Sequence, residues 1–396
     1  MNLKRGLSRI RRGSLANNFK HHLSFQSDNL IACGSTSLTG RRTSNEDVFA
    51  ACLRPGQRHK IIGVFDGHNG PRAAEYVAAH LQPTFSRWFV DDVSDVPSAL
   101  RATFHSLETD LMEAEETSGT CAAVTVFDAL TSSLCIANIG DSRVVLGDYN
   151  VSGGSDGSGG SGSGSGSSDT TPRAVVLSTD HRPSNNEERA RIEAAGSQIR
   201  AVSYDIDDPG IVRIHPGGMA VSRALGGVQH KRNSGSISAI PQLETYDNLH
   251  PNDFLIMASD GVWDVISCEE AVDRVHKSLS ALMPYHTSLY EQERVSPSPD
   301  HIVRSRDVGN YSVGQMVDLP TSQIHGFVVQ IEGKVQDSIV QGAGYLHVRK
   351  IPPMQATGSG PLVAWSCASA CQELVDECLR RGATDNLTMT ILKLLP

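Results

Sequence analysis

The chain has 396 residues, 39% of them hydrophobic, and is long enough to bury a full core as one large domain or two ordinary ones. Its 35 lysines and arginines against 44 aspartates and glutamates give a net charge of −9, which argues against a general nucleic-acid binder and favours a cation site. No run approaches the roughly 18 consecutive apolar residues of a membrane helix, and the N-terminus lacks the apolar core of a secretory signal.

Residues 1–29 form a basic N-terminal segment, because the first 27 residues carry six lysines or arginines and no acid. We expect this segment to be a disordered tail, with an organelle-targeting peptide or a phosphorylated regulatory arm as alternatives. Since no secretory signal is present, we expect an intracellular protein, cytoplasmic or nuclear.

From about residue 30 onward, short β-like runs alternate with helical segments, so both sheet and helix layers are expected. The β-like runs are KIIGVFD (60–66), TCAAVTVFD (120–128), SLCIANIGD (133–141), SRVVLGD (142–148), DFLIMASD (253–260) and NLTMTILKL (386–394).

Four helices are predicted in the same part of the chain. The first begins near Pro71, whose missing N–H suits a first helical turn. The second spans 97–115, where Leu100, Phe104, Leu107 and Leu111 form an apolar stripe. The third is predicted to begin with a capping box formed by Ser184 and Glu187 and to end at Gly196, and the fourth, 364–382, ends at Gly382.

Two segments interrupt this alternation. Residues 152–168 are almost entirely Gly and Ser and predict a flexible loop. Residues 281–362 lengthen the spacing before the last helix and contain three β-like pieces, YSVGQMVDL (311–319), HGFVVQIEG (325–333) and GYLHVRKI (344–351). We expect this insert to form a small sheet on the main domain and to be a candidate binding surface for a regulator.

The eight cysteines are dispersed and contain no CxxC pair, so reduced thiols are expected. Cys367, Cys371 and Cys378 share one helical face, which favours core packing over a metal or redox site.

Carboxylates follow several of the predicted strands. One strand ends at Asp66-Gly67, and another ends at Asp260-Gly261 with Asp264 shortly after. Either pair alone would be read as an ordinary turn, because Asp-Gly is a common turn dipeptide. Their recurrence in one chain suggests a shared site.

Further acids lie in comparable positions, namely Glu46, Asp47, Asp141 and Asp385. Carboxylates without cysteine and with few histidines are the donors that Mg²⁺ or Mn²⁺ prefers. Neighbouring strand residues point to opposite faces, so we expect Glu46 to be a direct ligand and Asp47 to act through water.

The chain resembles the metal-dependent serine/threonine protein phosphatases of type 2C over about residues 30–396. The segments that carry the resemblance, in the family's order, are GRRTSNED, VFDGHNG, SGTCAAV, ANIGDSRVVL, STDHRPSNNEERARIEAAG, GGMAVSRALGG, LIMASDGVWDV and GATDNLTMTIL. The resemblance implies an α+β catalytic domain of two stacked antiparallel β-sheets flanked by helices, an α-β-β-α sandwich.

The resemblance also implies the roles of individual residues. Asp66 would bridge two Mg²⁺ or Mn²⁺ ions, with Glu46 and the carbonyl of Gly67 on one ion and Asp260 and Asp385 on the other. Asp47 would act through water. Asp141, Asp260 and Asp264 match positions that hold a weaker third ion in some members. Arg42 matches the arginine that grips the substrate phosphate.

The implied reaction is hydrolysis of phosphoserine and phosphothreonine in proteins by a metal-bridging hydroxide, without a covalent phosphoenzyme. The planar guanidinium of Arg42 suits a phosphate, and His68 is expected to protonate the departing alkoxide. We expect a monomer acting on phosphoproteins. A phosphatase-like scaffold and a hydrolase of small phosphate esters are the alternatives.

One residue departs from the family pattern. The family usually has Asp where this chain has Gly227. Because the aspartate side chain is missing, another group has to anchor the loop around residue 227.

Overall fold

The computed structural model describes residues 19–27, 30–53, 57–90, 95–149, 171–202, 211–247, 249–292, 326–333, 335–336, 339–340, 346–350 and 360–395. The strands, in chain order, are β1 (Phe19–Ser27), β2 (Ile31–Leu38), β3 (Val48–Cys52), β4 (His59–His68), β5 (Gly119–Asp128), β6 (Ser133–Ile139), β7 (Arg143–Asp148), β8 (Arg173–Val176), β9 (Gln198–Val202), β10 (Ile211–His215), β11 (Leu225–Gly226), β12 (Gln242–Tyr246), β13 (Phe254–Ala258), β14 (Gly326–Gly333), β15 (Val335–Gln336), β16 (Ile339–Val340), β17 (Leu346–Lys350) and β18 (Leu387–Leu394). The helices are α1 (Arg72–Trp88), α2 (Val96–Glu113), α3 (Asn186–Ala194), α4 (Val228–Ser234), α5 (Asp260–Trp263), α6 (Cys268–Gln292) and α7 (Gly360–Arg380).

Two antiparallel sheets stack on each other. The larger sheet has the order β17-β14-β1-β2-β18-β13-β7-β8, and the smaller has the order β12-β6-β5-β4-β3, with β11 paired to β5. The space between the sheets is filled by buried apolar side chains from both of them, among them Ile31, Ile62, Val64, Val144, Leu146 and Met257.

Helices cover the two outer faces. Helices α1 and α2 pack on the smaller sheet around Phe65, Phe104 and Leu107. Helices α6 and α7 pack on the larger sheet around Ile256 and Leu374. The resulting order of helix layer, sheet, sheet and helix layer confirms the predicted α-β-β-α sandwich.

The apolar stripe of α2 is confirmed, because Leu100, Phe104 and Leu107 are 0% exposed and Leu111 is 1% exposed. The six β-like runs from 60–66 to 386–394 all contain strands of the two sheets. Within the described part of the chain, every helix is too short or too polar to cross a bilayer.

The predicted start of α3 is wrong by one residue. Asn185, not Ser184, caps the helix, and its side-chain oxygen accepts a hydrogen bond from the backbone N–H of Glu187 at 3.0 Å. Asn and Ser are equally good N-caps, so a run that offers both does not distinguish them. The predicted end at Gly196 is confirmed by its left-handed φ of +83°.

The segments that interrupt the sequence pattern are described only in part. Within 281–362, α6 continues to Gln292, and β14 and β17 extend the larger sheet beyond β1. The β-like piece 311–319 and the Gly/Ser run 152–168 lie outside the described residues, as do residues 1–18. The segment 1–29 contributes strand β1 from residue 19 onward. The division into tail, catalytic domain and insert stays a prediction.

The register of the larger sheet brings three acidic loops to one end. Strand β13 lies between β7 and β18, and Ala258 at its C-terminal end is opposite Arg143 and Met389. Because both pairings are antiparallel, the end of β13 adjoins the starts of β7 and β18. Asp260 therefore comes near Asp141 and Asp385.

Candidate metal centre

Three of the predicted carboxylates converge where these strands end. One oxygen from each of Asp66, Asp141 and Asp260 lies within 4.8 Å of the other two. Asp66 lies near the end of β4 in the smaller sheet, Asp141 lies in the connection from β6 of the smaller sheet to β7 of the larger sheet, and Asp260 follows β13 of the larger sheet. The cluster therefore forms only when the two sheets stack.

Electrostatics at this cluster indicate a place for cations. Burial and then the charges of Asp260, Asp47, Asp141 and Asp385 raise the pKa of Asp66 well above its ordinary value. Burial and the charges of Asp141, Asp264 and Asp385 raise the pKa of Asp260 to about 8. A divalent cation would relieve both the desolvation and the repulsion, so these groups fit a hard metal ion.

A buried cysteine lies next to the aspartate cluster, but the candidate metal ligands there are carboxylate oxygens. The Cys121 thiol donates to Asp141 Oδ1 at 3.6 Å. Burial and the charges of Asp141 and Asp66 raise the pKa of this thiol well above its ordinary value. Because only a thiolate is a good metal ligand, Cys121 stays a hydrogen-bond donor to the acidic cluster.

Glu46 and Gly67 meet as the sequence predicts. The backbone of Gly67 passes so close to Glu46 that a Cβ on residue 67 would lie 2.3 Å from the Glu46 carbonyl oxygen. The Glu46 carboxylate accepts the N–H of Gly70 at 3.0 Å. Glycine is therefore required at position 67, and the turn after β4 holds the Glu46 side chain beside Asp66 and Gly67.

Asp47 points away from Glu46, toward the other sheet. Its carboxylate is 7% exposed and accepts the Ser259 hydroxyl at 2.8 Å. Burial raises its pKa to about 7, the hydrogen bonds from Ser259 and Thr388 oppose that rise, and the charges of Asp385 and Glu46 add to it. The structure thus separates the two neighbouring acids, with Asp47 linked to the residue that precedes Asp260.

Asp385 is fixed at the start of β18. One carboxylate oxygen accepts the backbone N–H of Asn386 at 2.8 Å, and the other accepts Arg42 Nη2 at 2.6 Å. The predicted phosphate-binding arginine therefore lies at the edge of the acidic cluster, with its side chain 59% exposed.

Asn386 is a site residue that the sequence analysis missed. Its side-chain oxygen accepts the N–H of Glu46 at 2.9 Å, and its amide group donates to the carbonyls of Thr39 and Ser44 at 2.8 and 2.9 Å. Asn386 thereby fastens the loop that carries Arg42 and Glu46 to β18. The Asp-Asn pair before an apolar strand was its only signal.

Arg182 is the second residue that was missed. Its Nε contacts Asp141 Oδ2 at 2.9 Å, and its Nη2 lies 3.2 Å from Asp264 Oδ1 and 4.0 Å from Asp260 Oδ2. Burial lowers its pKa, but the charges of these three carboxylates raise it more, so the net shift is upward. Asp264 is more exposed than the others, at 57% of its side chain.

The residues of this centre lie in a chain that is similar to known proteins. Residues 31–296 match the family model of Protein phosphatase 2C. The chain belongs to the protein phosphatase 2C family. Asp385 and Asn386 lie beyond the matched range, yet the structure joins them to Glu46 and Arg42.

Two curated relatives that the chain matches come from plants. A probable protein phosphatase 2C 7 from Oryza sativa is 32% identical over 257 residues, which cover 62% of this chain and 57% of the relative. A probable protein phosphatase 2C 25 from Arabidopsis thaliana is 32% identical over 238 residues, which cover 59% of this chain and 52% of the relative. The chain thus spans little more than half the length of the curated relatives it matches.

Two solved structures share the fold. The serine-threonine phosphatase 2C from Toxoplasma gondii superposes with a TM-score of 0.57 at 16% identity, covering 95% of this chain and 99% of that one. A sex determining protein from C. elegans gives a TM-score of 0.59 at 18% identity, covering 92% of this chain and 65% of that one.

His68 lies two residues beyond Asp66, at the end of β4. Its ring covers Gly119, where an added Cβ would lie 2.4 Å from His68 Nε2. Burial, followed by the nearby charges of His230 and Lys231, lowers the pKa of His68 to about 4. The imidazole is therefore neutral near pH 7 in this structure.

The glycine that departs from the protein phosphatase 2C pattern lies in an anchored loop. Gly227 precedes α4 with a left-handed φ of +65°, and its N–H donates to the Ser118 carbonyl at 2.8 Å. Its neighbour Gly226 donates to Glu108 at 2.9 Å, and Lys231 pairs with the same carboxylate at 2.6 Å. Backbone groups and this ion pair therefore hold the loop.

The cysteines predicted to pack in the core do so. Cys367, Cys371 and Cys378 are each 0% exposed and carry free thiols. Among the described residues, the only candidate metal-binding group is the aspartate cluster, which contains no cysteine.

Proposed function

We propose that the protein hydrolyses phosphoserine and phosphothreonine in phosphoproteins with two Mg²⁺ or Mn²⁺ ions and without a covalent phosphoenzyme. The observation that carries the proposal is the convergence of Asp66, Asp141 and Asp260 within 4.8 Å in a protein phosphatase 2C chain. Two ions bound there would lower the pKa of a water between them, aim it at phosphorus and neutralise developing charge.

The chain's own groups divide into two sets around Asp66. We assign Asp66 to bridge both ions because one of its oxygens lies within 4.8 Å of an Asp260 oxygen, while the next residue, Gly67, packs against Glu46. The Glu46 carboxylate, which accepts the N–H of Gly70, and the carbonyl of Gly67, whose backbone lies against Glu46, would complete the coordination of one ion. Asp260 and Asp385 would hold the other, and Asp47 would act through water or by orienting Ser259.

Arg42 would bind the substrate phosphate. Its contact with Asp385 places the guanidinium at the rim of the cluster, and its exposed side chain is accessible from solvent. A guanidinium has five N–H groups, so the contact with one carboxylate oxygen leaves donors for two phosphate oxygens.

His68 would protonate the departing serine or threonine alkoxide. Because its pKa is lowered to about 4, this role requires the bound phosphate dianion to raise the pKa toward neutrality. Its position two residues from Asp66 supports this role. The role is open to His68 only when the imidazole carries a second proton.

The test is hydrolysis of a phosphothreonine peptide by the purified chain with Mn²⁺, with EDTA and as Asp66→Asn. We expect EDTA and Asp66→Asn each to lower kcat/KM by more than about 100-fold. Asp95→Asn is the matched control, because Asp95 caps α2 far from the site and Asn caps equally well. Activity that survives EDTA or Asp66→Asn would overturn the two-ion centre.

A further inference from the structure

We infer that the Arg182 guanidinium takes the place of a third cation, so that the wild-type centre is limited to two ions. This inference rests on the proposed two-ion function and concerns how that site is regulated. The family resemblance implies that Asp141, Asp260 and Asp264 could hold a weaker third ion. In the structure, the positive group among these three carboxylates belongs to the chain itself.

The contacts of Arg182 use the oxygens that an added ion would need. Nε contacts Asp141 Oδ2 at 2.9 Å, and Nη2 contacts Asp264 Oδ1 at 3.2 Å. The same Nη2 is 4.0 Å from Asp260 Oδ2. A divalent ion there would have to displace a half-buried, hydrogen-bonded guanidinium and would be repelled by it at short range.

The loop that carries Arg182, residues 178–182, is held firmly. The Ser178 hydroxyl accepts the N–H of Val144 at 2.9 Å, and the Thr179 carbonyl accepts the Asn138 amide at 2.9 Å. Asp180 receives Arg143 through two hydrogen bonds of 3.1 and 2.7 Å.

The residue before Arg182 adds a further attachment. His181 is 2% exposed, and its backbone N–H donates to the Gly140 carbonyl at 2.9 Å, directly beside Asp141. These hydrogen bonds fix the backbone on which Arg182 stands. Moving its guanidinium away from the three carboxylates therefore requires either a new side-chain rotamer or the loss of several of these hydrogen bonds. The guanidinium is thus a preorganised part of the centre.

The experiment counts Mn²⁺ ions bound per chain of residues 1–396 by calorimetry, with free Mn²⁺ followed by electron paramagnetic resonance. We expect two ions for wild type and three for Arg182→Gln and Arg182→Ala, two neutral replacements of different size. Arg182→Lys keeps the positive charge and is expected to bind two. Arg42→Gln is the matched control, because it removes a guanidinium bonded to Asp385 on the other side of the centre, and it is expected to bind two.

The site of the gained ion is checked with a double variant. Arg182→Gln with Asp264→Asn should lose the third ion and return to two. Three ions on wild type, or no gain in either neutral variant, would overturn the inference. Fewer than two ions on wild type would contradict the proposed two-ion centre, whereas a gain of one ion in the neutral variants would still support the role of Arg182.

Discussion

Asp260→Asn should stabilise the metal-free protein, although it removes a proposed metal ligand. In the unfolded chain an aspartate loses its proton near pH 3.8, whereas in the fold Asp260 keeps it until about pH 8. The folded state therefore binds more protons than the unfolded state between these values. The contribution of Asp260 to stability is greatest below about pH 4, falls as the pH rises, and reaches its lower plateau above about pH 8.

The magnitude follows from the pKa difference. A pH of 7 lies about three units above the ordinary pKa of an aspartate. At 1.36 kcal/mol per unit, the destabilisation that Asp260 causes at pH 7 has a ceiling of about 4 kcal/mol. The side chain is 27% exposed, and solvent screens part of the repulsion. We therefore expect Asp260→Asn to raise the free energy of unfolding by about 2 kcal/mol at pH 7.

The assay is urea denaturation at pH 7 in EDTA and again with excess Mn²⁺. In EDTA the variant should be more stable than wild type, and with Mn²⁺ the order should reverse, because wild type gains more from binding. Asp95→Asn is the control, since Asp95 is exposed and Asn caps a helix as well as Asp does, so stability should change by less than about 0.5 kcal/mol. A variant that is less stable than wild type in EDTA would refute the reasoning.

Three further predictions concern other parts of the molecule. His68→Ala should slow hydrolysis of a phosphothreonine peptide by about 100-fold but p-nitrophenyl phosphate by less than about 10-fold, because the nitrophenolate needs little protonation, and equal losses would exclude His68 as the acid. Asn386→Ala removes hydrogen bonds to Glu46, Thr39 and Ser44 and should lower the free energy of unfolding in urea by about 2–3 kcal/mol. The exposed Asn252→Ala should leave it unchanged, and a loss below about 1 kcal/mol for Asn386→Ala would contradict the fastening role. Leu107, on the inner face of α2, is 0% exposed, and Leu107→Ala should lower the free energy of unfolding by about 2–5 kcal/mol. Leu130→Ala, at 75% exposure, should lower it by less than about 0.5 kcal/mol, and similar losses for the two variants would argue against the packing described.

The strand ends and their carboxylates were predictable because their pattern is local. An apolar run that stops at Asp-Gly marks the end of β13 just before Asp260, whereas at Asp66 it misses the end of β4 by two residues, because the strand continues to His68. The stripe of α2 was predictable for the same reason. The family resemblance then ordered these local signals into one site.

The partners of these carboxylates were not predictable, because they depend on which strands become neighbours. Arg182 meets Asp264 across 82 residues, and Asn386 meets Glu46 across 340 residues. No local period encodes such pairs. An apolar run such as 325–333 likewise predicts a strand without saying whether it starts a new sheet or, as β14 does, extends an existing one.

The central place of β18 has a consequence for biosynthesis. This strand is made last among those of the larger sheet, yet it lies between β2 and β13 and brings Asp385 and Asn386 to a loop made more than 330 residues earlier. While the ribosome is still translating the preceding residues, the nascent chain has neither the sheet's middle strand nor a complete acidic centre. Completion of the acidic centre therefore waits until β18 has been translated, and a chain that stops before residue 385 would carry Arg42 without its aspartate partner.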